Sequence, residues 1–305
     1  MEKQILRRFG VYPVIILSML FWGMSYVWTS IVFKYYHPIT TIILRLIISS
    51  LILLAFIMLT GKAEKIRKQD FGIFLLSALF NPFLYFLGEN FGLKYSSPTI
   101  SSVIIATIPL FTPVVAYFTL HEKLSLVNLL GIIISFAGIG IMVVNPDLSL
   151  NASPWGIALL LGAVAFAITY SVMLRKLATR YSALTIIAYQ NVIGSLYFLP
   201  FFLIFDLHHF LTINPNFELI SSILSLAIFA SSFAYILYTM AVSEIGVSRT
   251  NVFTNLIPVF TAIFSFIFIS EIFSTNKIVG MLIVIFGVVI TQVKKKSSVN
   301  QTIIK

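Results

Sequence analysis

One short block of this chain occurs twice, at a constant spacing of 149 residues. Pro109-Leu-Phe-Thr, followed by Glu122, Gly131 and Gly138, returns as Pro258-Val-Phe-Thr, Glu271, Gly280 and Gly287. Upstream of this block a weaker match, at an offset of 144, aligns the stretch around Tyr26 with that around Tyr170. The chain is therefore a tandem duplication, and its fold must be built from two copies of one unit.

Composition indicates the environment of that fold. Hydrophobic residues make up 59% of the chain and charged residues 10%, and the mean hydropathy is +1.02, which excludes an ordinary soluble domain. The apolar runs predict an all-α integral membrane protein with ten transmembrane helices, five in each half. The predicted helices span residues 11–33, 39–60, 71–94, 98–120, 126–144, 154–174, 184–206, 217–242, 248–270 and 276–293.

The two predicted repeats cover residues 11–144 and 154–293. Because each contains an odd number of helices, the second must enter the membrane from the opposite side, so the repeats are inverted. Apart from Arg45, Lys34, Lys94 and Lys277, every Lys and Arg lies on one side of the predicted membrane, which predicts that both termini are cytoplasmic. The net charge of +10 is explained by this bias and by anionic lipid, without a nucleic-acid partner.

Inverted repeats favour transport over other membrane functions. In such proteins one copy adopts the conformation that the other has just left, and the substrate is held between them near the middle of the bilayer. This arrangement predicts a carrier that works by alternating access. One chain contains both copies, so a monomer is sufficient.

The motifs resemble those of a known family. The pattern of two five-helix halves, Phe21-Trp22-Gly23 and the repeated proline, glutamate and glycine block are similar to the drug/metabolite transporter superfamily, specifically its EamA type. The resemblance implies a bacterial inner-membrane carrier, commonly an exporter of amino acids or other small metabolites. It also implies that helices 1–4 and 6–9 surround a central cavity, with helices 5 and 10 at the periphery. It does not imply a substrate.

Two charged residues, Arg45 and Glu89, lie well inside predicted helices, where charge is costly and usually functional. Counted from the outer ends of their helices, both lie about 9 Å deep at 1.5 Å per residue. We expect them either to pair across a cavity, or to divide the work, with Arg45 on a substrate carboxylate and Glu89 on an amine or a proton. The alternative is a structural ion pair that fastens the second helix to the third.

Uncharged polar and aromatic residues complete the predicted site. Besides Arg45 and Glu89, the candidate substrate-binding residues are Trp22, Tyr26, Asn81, Tyr85, Gln190, Asn191, Asn251 and Asn255. Asn81, Tyr85 and Glu89 share one helical face with Gly88 and Gly92, which predicts either a cavity wall or close helix packing through the glycines. Prolines inside the helices are the candidate hinges, namely Pro82, Pro109, Pro113 and Pro258.

Other classes of function find less support in the sequence. No metalloprotease, serine-hydrolase or phosphate-binding motif is present, so an enzyme or an ATP-driven pump is not predicted, and neither a cofactor nor a metal is expected. A channel would require symmetry about a pore. The sequence thus predicts a secondary transporter that exports small metabolites, with amino acids or related zwitterions foremost. A carrier of drugs, sugars or nucleosides with the same fold is the alternative, and a multi-span membrane enzyme is a weaker one.

Overall fold

The fold is seen in a computed structural model that describes residue 6 and residues 8–111, 126–144 and 150–292. Within these ranges regular structure is helical, and we number the principal helices in chain order. Those without an internal break are α1 (Val11–Val32), α2 (Pro38–Thr60), α4 (Pro98–Ile105), α5 (Leu126–Val143), α6 (Pro154–Ala178) and α10 (Thr275–Gln292). Those with internal breaks are α3 (Lys68–Lys94), α7 (Ala183–Thr212), α8 (Phe217–Ile245) and α9 (Val247–Ile269).

The predicted all-helical membrane class is confirmed for the described ranges. Seven of these helices, α1–α3 and α6–α9, are long and apolar enough to cross a membrane. Three shorter apolar helices, Pro98–Phe111, Leu129–Val143 and Thr275–Ile290, lie where the remaining crossings are predicted. The rest of the predicted 98–120 helix and Pro113 lie outside the described residues. The count of ten crossings and the cytoplasmic termini stay predictions.

Helix bounds agree with the sequence to within three residues, except at the ends of α4, α6 and α7. The start of α4 is as predicted, because Pro98 occupies its first turn and the Ser97 side chain accepts a hydrogen bond from the Ile100 amide. By contrast, α6 continues to Ala178 and α7 to Thr212, beyond the predicted ends at 174 and 206. Hydropathy falls at the first polar residues, whereas backbone hydrogen bonding continues through a further turn or more, so those two predicted ends were wrong.

Packing joins the two halves throughout. Helix α1 packs against α8 and α9, α6 packs against α3 and α4, and α2 lies against α7. Helices α5 and α10 pack chiefly against each other. A Cβ atom added to Gly138 would lie 2.8 Å from the carbonyl oxygen of Gly280, and one added to Gly287 would lie 2.8 Å from that of Gly131. The four repeated glycines therefore allow the α5 and α10 backbones to touch, and the pairing shows that these helices are antiparallel.

Breaks in the helices lie close to the predicted hinges. In α3, Leu79–Leu84 forms a π-helical turn that contains Pro82, and Asn81 has extended rather than helical dihedral angles. Helix α4 ends at Ile105, shortly before Pro109, and a 3₁₀ segment over Val252–Asn255 precedes Pro258 in α9. Three candidate hinges thus lie in or just after a break, and their role as hinges stays a prediction.

Candidate functional site

A cavity lies between the two halves, and we call it the central cavity. About 620 Å³ of space that protein atoms do not fill lies between its walls, a volume that includes the open mouth of the cavity. Helices α1–α4, α6, α8 and α9 contribute its walls. Its aromatic lining consists of Trp22, Tyr26, Tyr85, Phe86, Tyr170, Tyr235 and Tyr238. Its polar lining consists of Ser25, Arg45, Asn81, Glu89, Ser171, Asn251 and Thr254. Its aliphatic lining consists of Ile105, Ile108, Ala167 and Ile257.

Glu89 is held in this wall by two phenols. Tyr26 on α1 and Tyr85, one turn earlier on α3, donate hydrogen bonds of 3.0 and 2.6 Å to the same carboxylate oxygen, Oε1. Hydrogen bonds to a carboxylate are stronger than those between neutral groups. The two phenols therefore fix the Glu89 side chain at the boundary between α1 and α3, and its Oε2 atom has no hydrogen-bond donor among the described residues.

Arg45 is buried in the same cavity wall, with 2% of its surface exposed. Its Nε donates a hydrogen bond of 2.7 Å to the Ser231 hydroxyl on α8, and its guanidinium lies 4.4 Å from the centre of the Phe86 ring. The Ser231 segment is itself held by Asn191, whose amide donates to the Ser231 carbonyl oxygen and to the Ser49 hydroxyl. This polar bridge between α2, α7 and α8 orients the arginine.

The two charges face one cavity but do not form the direct ion pair that was one expectation. No Arg45 nitrogen lies within 4.0 Å of a Glu89 carboxylate oxygen, since the ion pairs among the described residues are formed by other side chains. The reason is that each charge has its own contacts: Ser231 and Phe86 hold the guanidinium. Tyr26 and Tyr85 hold the carboxylate. A direct salt-bridge fastener between α2 and α3 is therefore wrong.

Seven of the ten candidate substrate-binding residues line the central cavity, and three do not. The lining candidates are Trp22, Tyr26, Arg45, Asn81, Tyr85, Glu89 and Asn251. Gln190 lies behind the wall, where it accepts a hydrogen bond from Tyr170 and donates one to Ser77, and Asn191 belongs to the polar bridge. Asn255 is buried, and its Oδ1 has no hydrogen-bond partner among the described residues. No residue of α7 lines the cavity in the described structure.

The predicted polar face of α3 is divided between two surroundings. Asn81, Tyr85 and Glu89 reach the cavity, whereas Gly88 and Gly92 face α6. A Cβ atom on Gly88 would lie 2.7 Å from the Leu159 carbonyl oxygen, so these glycines serve close packing. Of the two alternatives for this face, the cavity wall holds for Asn81, Tyr85 and Glu89, and close helix packing holds for the two glycines.

Several residues of the candidate site were not predicted from the sequence. Ser231 contacts Arg45 from a position 186 residues away, and only the fold reveals that contact. Phe86 and Tyr238 were obscured by the abundance of aromatics in the chain. The repeat offers a signal for Tyr238, because it is the counterpart of Glu89 at the offset of 149.

That repeat relation extends around the cavity wall. Five pairs of lining residues are counterparts at one of the two repeat offsets: Tyr26 with Tyr170, Phe86 with Tyr235, Glu89 with Tyr238, Ile105 with Thr254, and Ile108 with Ile257. The central cavity thus lies where equivalent positions of the two halves meet. Arg45 departs from this symmetry, since its counterpart Tyr189 packs beside Phe74 instead.

Comparison with known proteins agrees with the division of the chain into two halves. The model of the EamA-like transporter family matches residues 10–144 and again residues 154–293. The chain belongs to the EamA-like transporter family.

Relatives of this EamA-family chain come from several kingdoms. An uncharacterized transporter of Bacillus subtilis, YetK, is 26% identical over 95% of this chain and 89% of its own length. An uncharacterized transporter of Archaeoglobus fulgidus is 27% identical over 92% of this chain and 98% of its own length. A chloroplastic WAT1-related protein of Arabidopsis thaliana is 27% identical over 91% of this chain and 68% of its own length. A solved crystal structure matches with a TM-score of 0.68 at 15% identity, over 93% of this chain and 98% of that chain, which supports the fold.

Two clusters of polar contacts join the halves of this EamA-family protein at opposite ends of the bundle. In the Asp70 clasp, the buried Asp70 accepts hydrogen bonds from Arg180 at 2.5 Å and Tyr181 at 2.7 Å. In the Asp206 clasp, the buried Asp206 accepts bonds from the Thr40 amide and hydroxyl, at 3.0 and 2.8 Å, and lies 3.3 Å from His37. The Asp70 clasp ties the start of α3 to the loop between α6 and α7. The Asp206 clasp ties the break in α7 to His37 and to the first turn of α2.

Proposed function

We propose that this EamA-family chain is a secondary transporter that exports small metabolites, foremost amino acids or related zwitterions, by alternating access. The observation that carries the proposal is that Arg45 and Glu89 both line the central cavity while each is held away from the other. A zwitterion has one carboxylate and one ammonium group, and these match the two side chains in charge.

Arg45 is suited to the carboxylate end. Its Nε is engaged by Ser231, and the described residues provide no hydrogen-bond partner for its two terminal nitrogens. A guanidinium presents such nitrogens in a planar fork that matches a carboxylate in a bidentate arrangement. Since 98% of the Arg45 surface is buried, leaving this charge without a counter-ion is costly, which favours binding of an anionic group.

Glu89 is suited to the cationic end. Both phenols donate to Oε1, so Oε2 is available to an ammonium group or to a proton. Either partner would neutralise the carboxylate inside the membrane. Glu89 is therefore the proton-coupling candidate, and facilitated export without protons is the simpler alternative.

Alternating access is supported by the relation between the halves. The antiparallel contact of α5 and α10, the paired lining residues and the clasps at the two ends of the bundle are what two inverted repeats would produce. We assign ten crossings, cytoplasmic termini and a bacterial inner-membrane location on the charge bias and the family. In that orientation the Asp70 clasp closes the cytoplasmic side and the Asp206 clasp closes the outer side.

The cavity lining favours one alternative substrate class. Seven aromatic rings surround the two charges, and Trp22 alone lies 4.9 Å from the Tyr235 ring and 5.1 Å from the Tyr238 ring. Aromatic walls also suit flat, partly apolar compounds such as nucleosides or drugs, because ring stacking does not require a specific substrate charge. Charge dependence separates this alternative from the zwitterion carrier.

Counterflow in proteoliposomes tests the proposed function. Purified protein is reconstituted into vesicles that are preloaded with an unlabelled amino-acid mixture, and uptake of the same labelled mixture is compared with that into protein-free vesicles. We expect saturable uptake above the protein-free level. No counterflow with amino acids, but counterflow with nucleosides or cationic drugs, would reject the zwitterion assignment and favour the alternative.

Variants of the two charged residues identify the site. We expect Arg45→Ala and Glu89→Gln to reduce counterflow at least tenfold, since each removes a charge-assisted contact worth about 1.5–3 kcal/mol. Arg249→Ala and Glu244→Gln make the same chemical changes at exposed positions outside the cavity and should retain wild-type rates. Wild-type counterflow in folded Arg45→Ala and Glu89→Gln proteins would contradict the assignment.

A further inference from the structure

A second, smaller pocket lies between α1 and α3, directly beside the central cavity. It is lined by Ser25, Tyr26, Thr29, Glu89, Asn90 and Leu93. Three of them, Ser25, Tyr26 and Glu89, also line the central cavity. Glu89 therefore belongs to both spaces at once, and any ligand of the small pocket must affect a ligand of the large one.

Asn90 lines this pocket, and its side-chain oxygen has no hydrogen-bond partner among the described residues. The side chain is 1% exposed, and its Nδ2 donates a hydrogen bond of 3.0 Å to the Phe86 carbonyl oxygen. Its Oδ1 is buried and has no hydrogen-bond partner among the described residues. A buried polar atom of this kind carries a desolvation cost, which a ligand would relieve.

The other polar groups around the pocket are also oxygens. Thr29 is 4% exposed, and its hydroxyl forms no hydrogen bond with the described residues, although helical threonines commonly bond to a carbonyl of the preceding turn. The Ser25 hydroxyl donates to the Trp22 carbonyl oxygen, so its lone pairs stay available. Glu89 contributes its Oε2 atom as a further oxygen, because Oε1 already accepts hydrogen bonds from both phenols.

We propose that this pocket binds a dehydrated sodium ion, which competes with the ammonium group of the substrate for Glu89. Carboxylate, amide and hydroxyl oxygens are the ligands that hard cations prefer. The pocket supplies one carboxylate, so a single positive charge balances it, whereas a divalent ion would leave a buried excess charge.

Competition for Glu89 gives this site a role in the proposed export, on which the inference rests. In one half-cycle Glu89 holds the substrate ammonium, and in the other it holds sodium, so the carboxylate is neutralised in both. Sodium entry would then drive substrate exit. Each exchange of one sodium ion for one zwitterion would move one net positive charge inward. No proton or covalent step is needed for this exchange.

Thermal unfolding of the purified protein tests sodium binding without requiring transport. We compare sodium chloride with choline chloride at equal ionic strength and constant pH. A ligand that binds only the folded state raises the unfolding temperature by mass action, and we expect a saturable rise of about 2–5 °C in sodium. Equal unfolding temperatures for the wild-type protein in the two salts would overturn the proposal.

Two isosteric variants locate the ion. Thr29→Val and Asn90→Leu each remove an oxygen while keeping the size of the side chain, and both should lose the sodium-dependent rise. Thr29→Ser keeps the hydroxyl and should retain it. A rise that persists unchanged in Thr29→Val and Asn90→Leu would overturn the assignment to this pocket. If either variant fails to fold, the wild-type comparison and the other variant decide.

Counterflow in sodium-free choline medium separates this proposal from the proposed function. Counterflow without any sodium effect on uptake or unfolding would leave the carrier intact and reject the sodium site. Sodium-dependent stabilisation without counterflow of any amino acid would support the sodium site and reject the amino-acid carrier. Stabilisation that depends on acidification instead of sodium would assign Glu89 to a proton and reject the sodium site.

Discussion

The hydroxyl of Ser135 on α5 donates a hydrogen bond of 3.3 Å to the carbonyl oxygen of Val284 on α10, and these two residues occupy the same position of the duplicated sequence, 149 residues apart. A residue can touch its own counterpart only where the axis that relates two copies passes between them. The contact therefore marks that axis at the α5–α10 interface. It supports a scaffold in which the two halves are inverted repeats related by a pseudo-two-fold axis.

Close packing at this interface predicts a position-specific effect of adding one methyl group. In Gly138→Ala the new Cβ would lie 2.8 Å from the Gly280 carbonyl oxygen, so we expect the free energy of unfolding to fall by about 1–3 kcal/mol. Gly140→Ala is the matched control, because a Cβ atom there meets nothing within 4 Å and alanine is the better helix former. Thermal unfolding in detergent measures both, and equal stabilities would show that the glycines are not in contact.

Much of the site was predictable because the membrane makes polar residues conspicuous. Arg45, Glu89, Asn81 and Asn251 stand out against apolar helices, and the bilayer restricts such residues to interior surfaces. The sequence could not say which interior surface each one meets. Gln190 is likewise a polar residue inside a predicted helix, yet its side chain bonds to Tyr170 and Ser77 and does not line the cavity.

The fold was predictable for a different reason. The repeat and the length of the apolar runs depend on local sequence, and both indicate the helices directly. Contacts such as Arg45 with Ser231 depend on how α2 meets α8, and the break at Asn81 changes the direction of α3 in a way that helical periodicity does not describe. These features follow from packing between distant segments.

Removal of a phenolic hydroxyl tests how Glu89 is positioned. Tyr26→Phe and Tyr85→Phe each delete one hydrogen bond to Oε1 while keeping the ring in the wall. We expect each variant to lower counterflow about tenfold, corresponding to about 1.4 kcal/mol. Tyr12→Phe, a change at an exposed ring 60% accessible, should have no effect. Unchanged rates in both cavity variants would show that the phenols are not needed to position the carboxylate.

Ser231 is expected to act through Arg45. In Ser231→Ala the Nε atom loses its acceptor, so the guanidinium is less well oriented for a carboxylate. We expect the KM for counterflow to rise several-fold, with a smaller change for a substrate analogue that lacks the carboxylate. Ser195→Ala removes a hydroxyl that bonds within α7, and it serves as the control. An equal loss for both substrates would indicate a purely structural effect of Ser231.

The two clasps are expected to bias the protein in opposite directions. Asp70→Asn weakens the contacts to Arg180 and Tyr181, and Asp206→Asn weakens those to His37 and Thr40. Because the chain contains no cysteine, a single Ser171→Cys change places one thiol in the central cavity.

Labelling of that thiol with a membrane-impermeant reagent, applied from the outer side, reports the open state. We expect Asp206→Asn to speed labelling and Asp70→Asn to slow it, because each change frees one end of the bundle. The Ser171→Cys protein with both clasps intact is the reference. A shift in the same direction for both variants would contradict alternating access controlled by the clasps.

The assignment of Arg45 to the substrate carboxylate and of Glu89 to the substrate ammonium group is tested most directly with charged and uncharged substrate analogues. Counterflow of a labelled amino acid is challenged with three competitors: the amino acid, its methyl ester without the carboxylate, and its N-acetyl form without the ammonium group. We predict that the wild-type protein prefers the zwitterion over both analogues. Arg45→Ala should lose the preference over the ester, and Glu89→Gln should lose the preference over the N-acetyl form. Identical competitor preferences in the wild type and in both variants would contradict it.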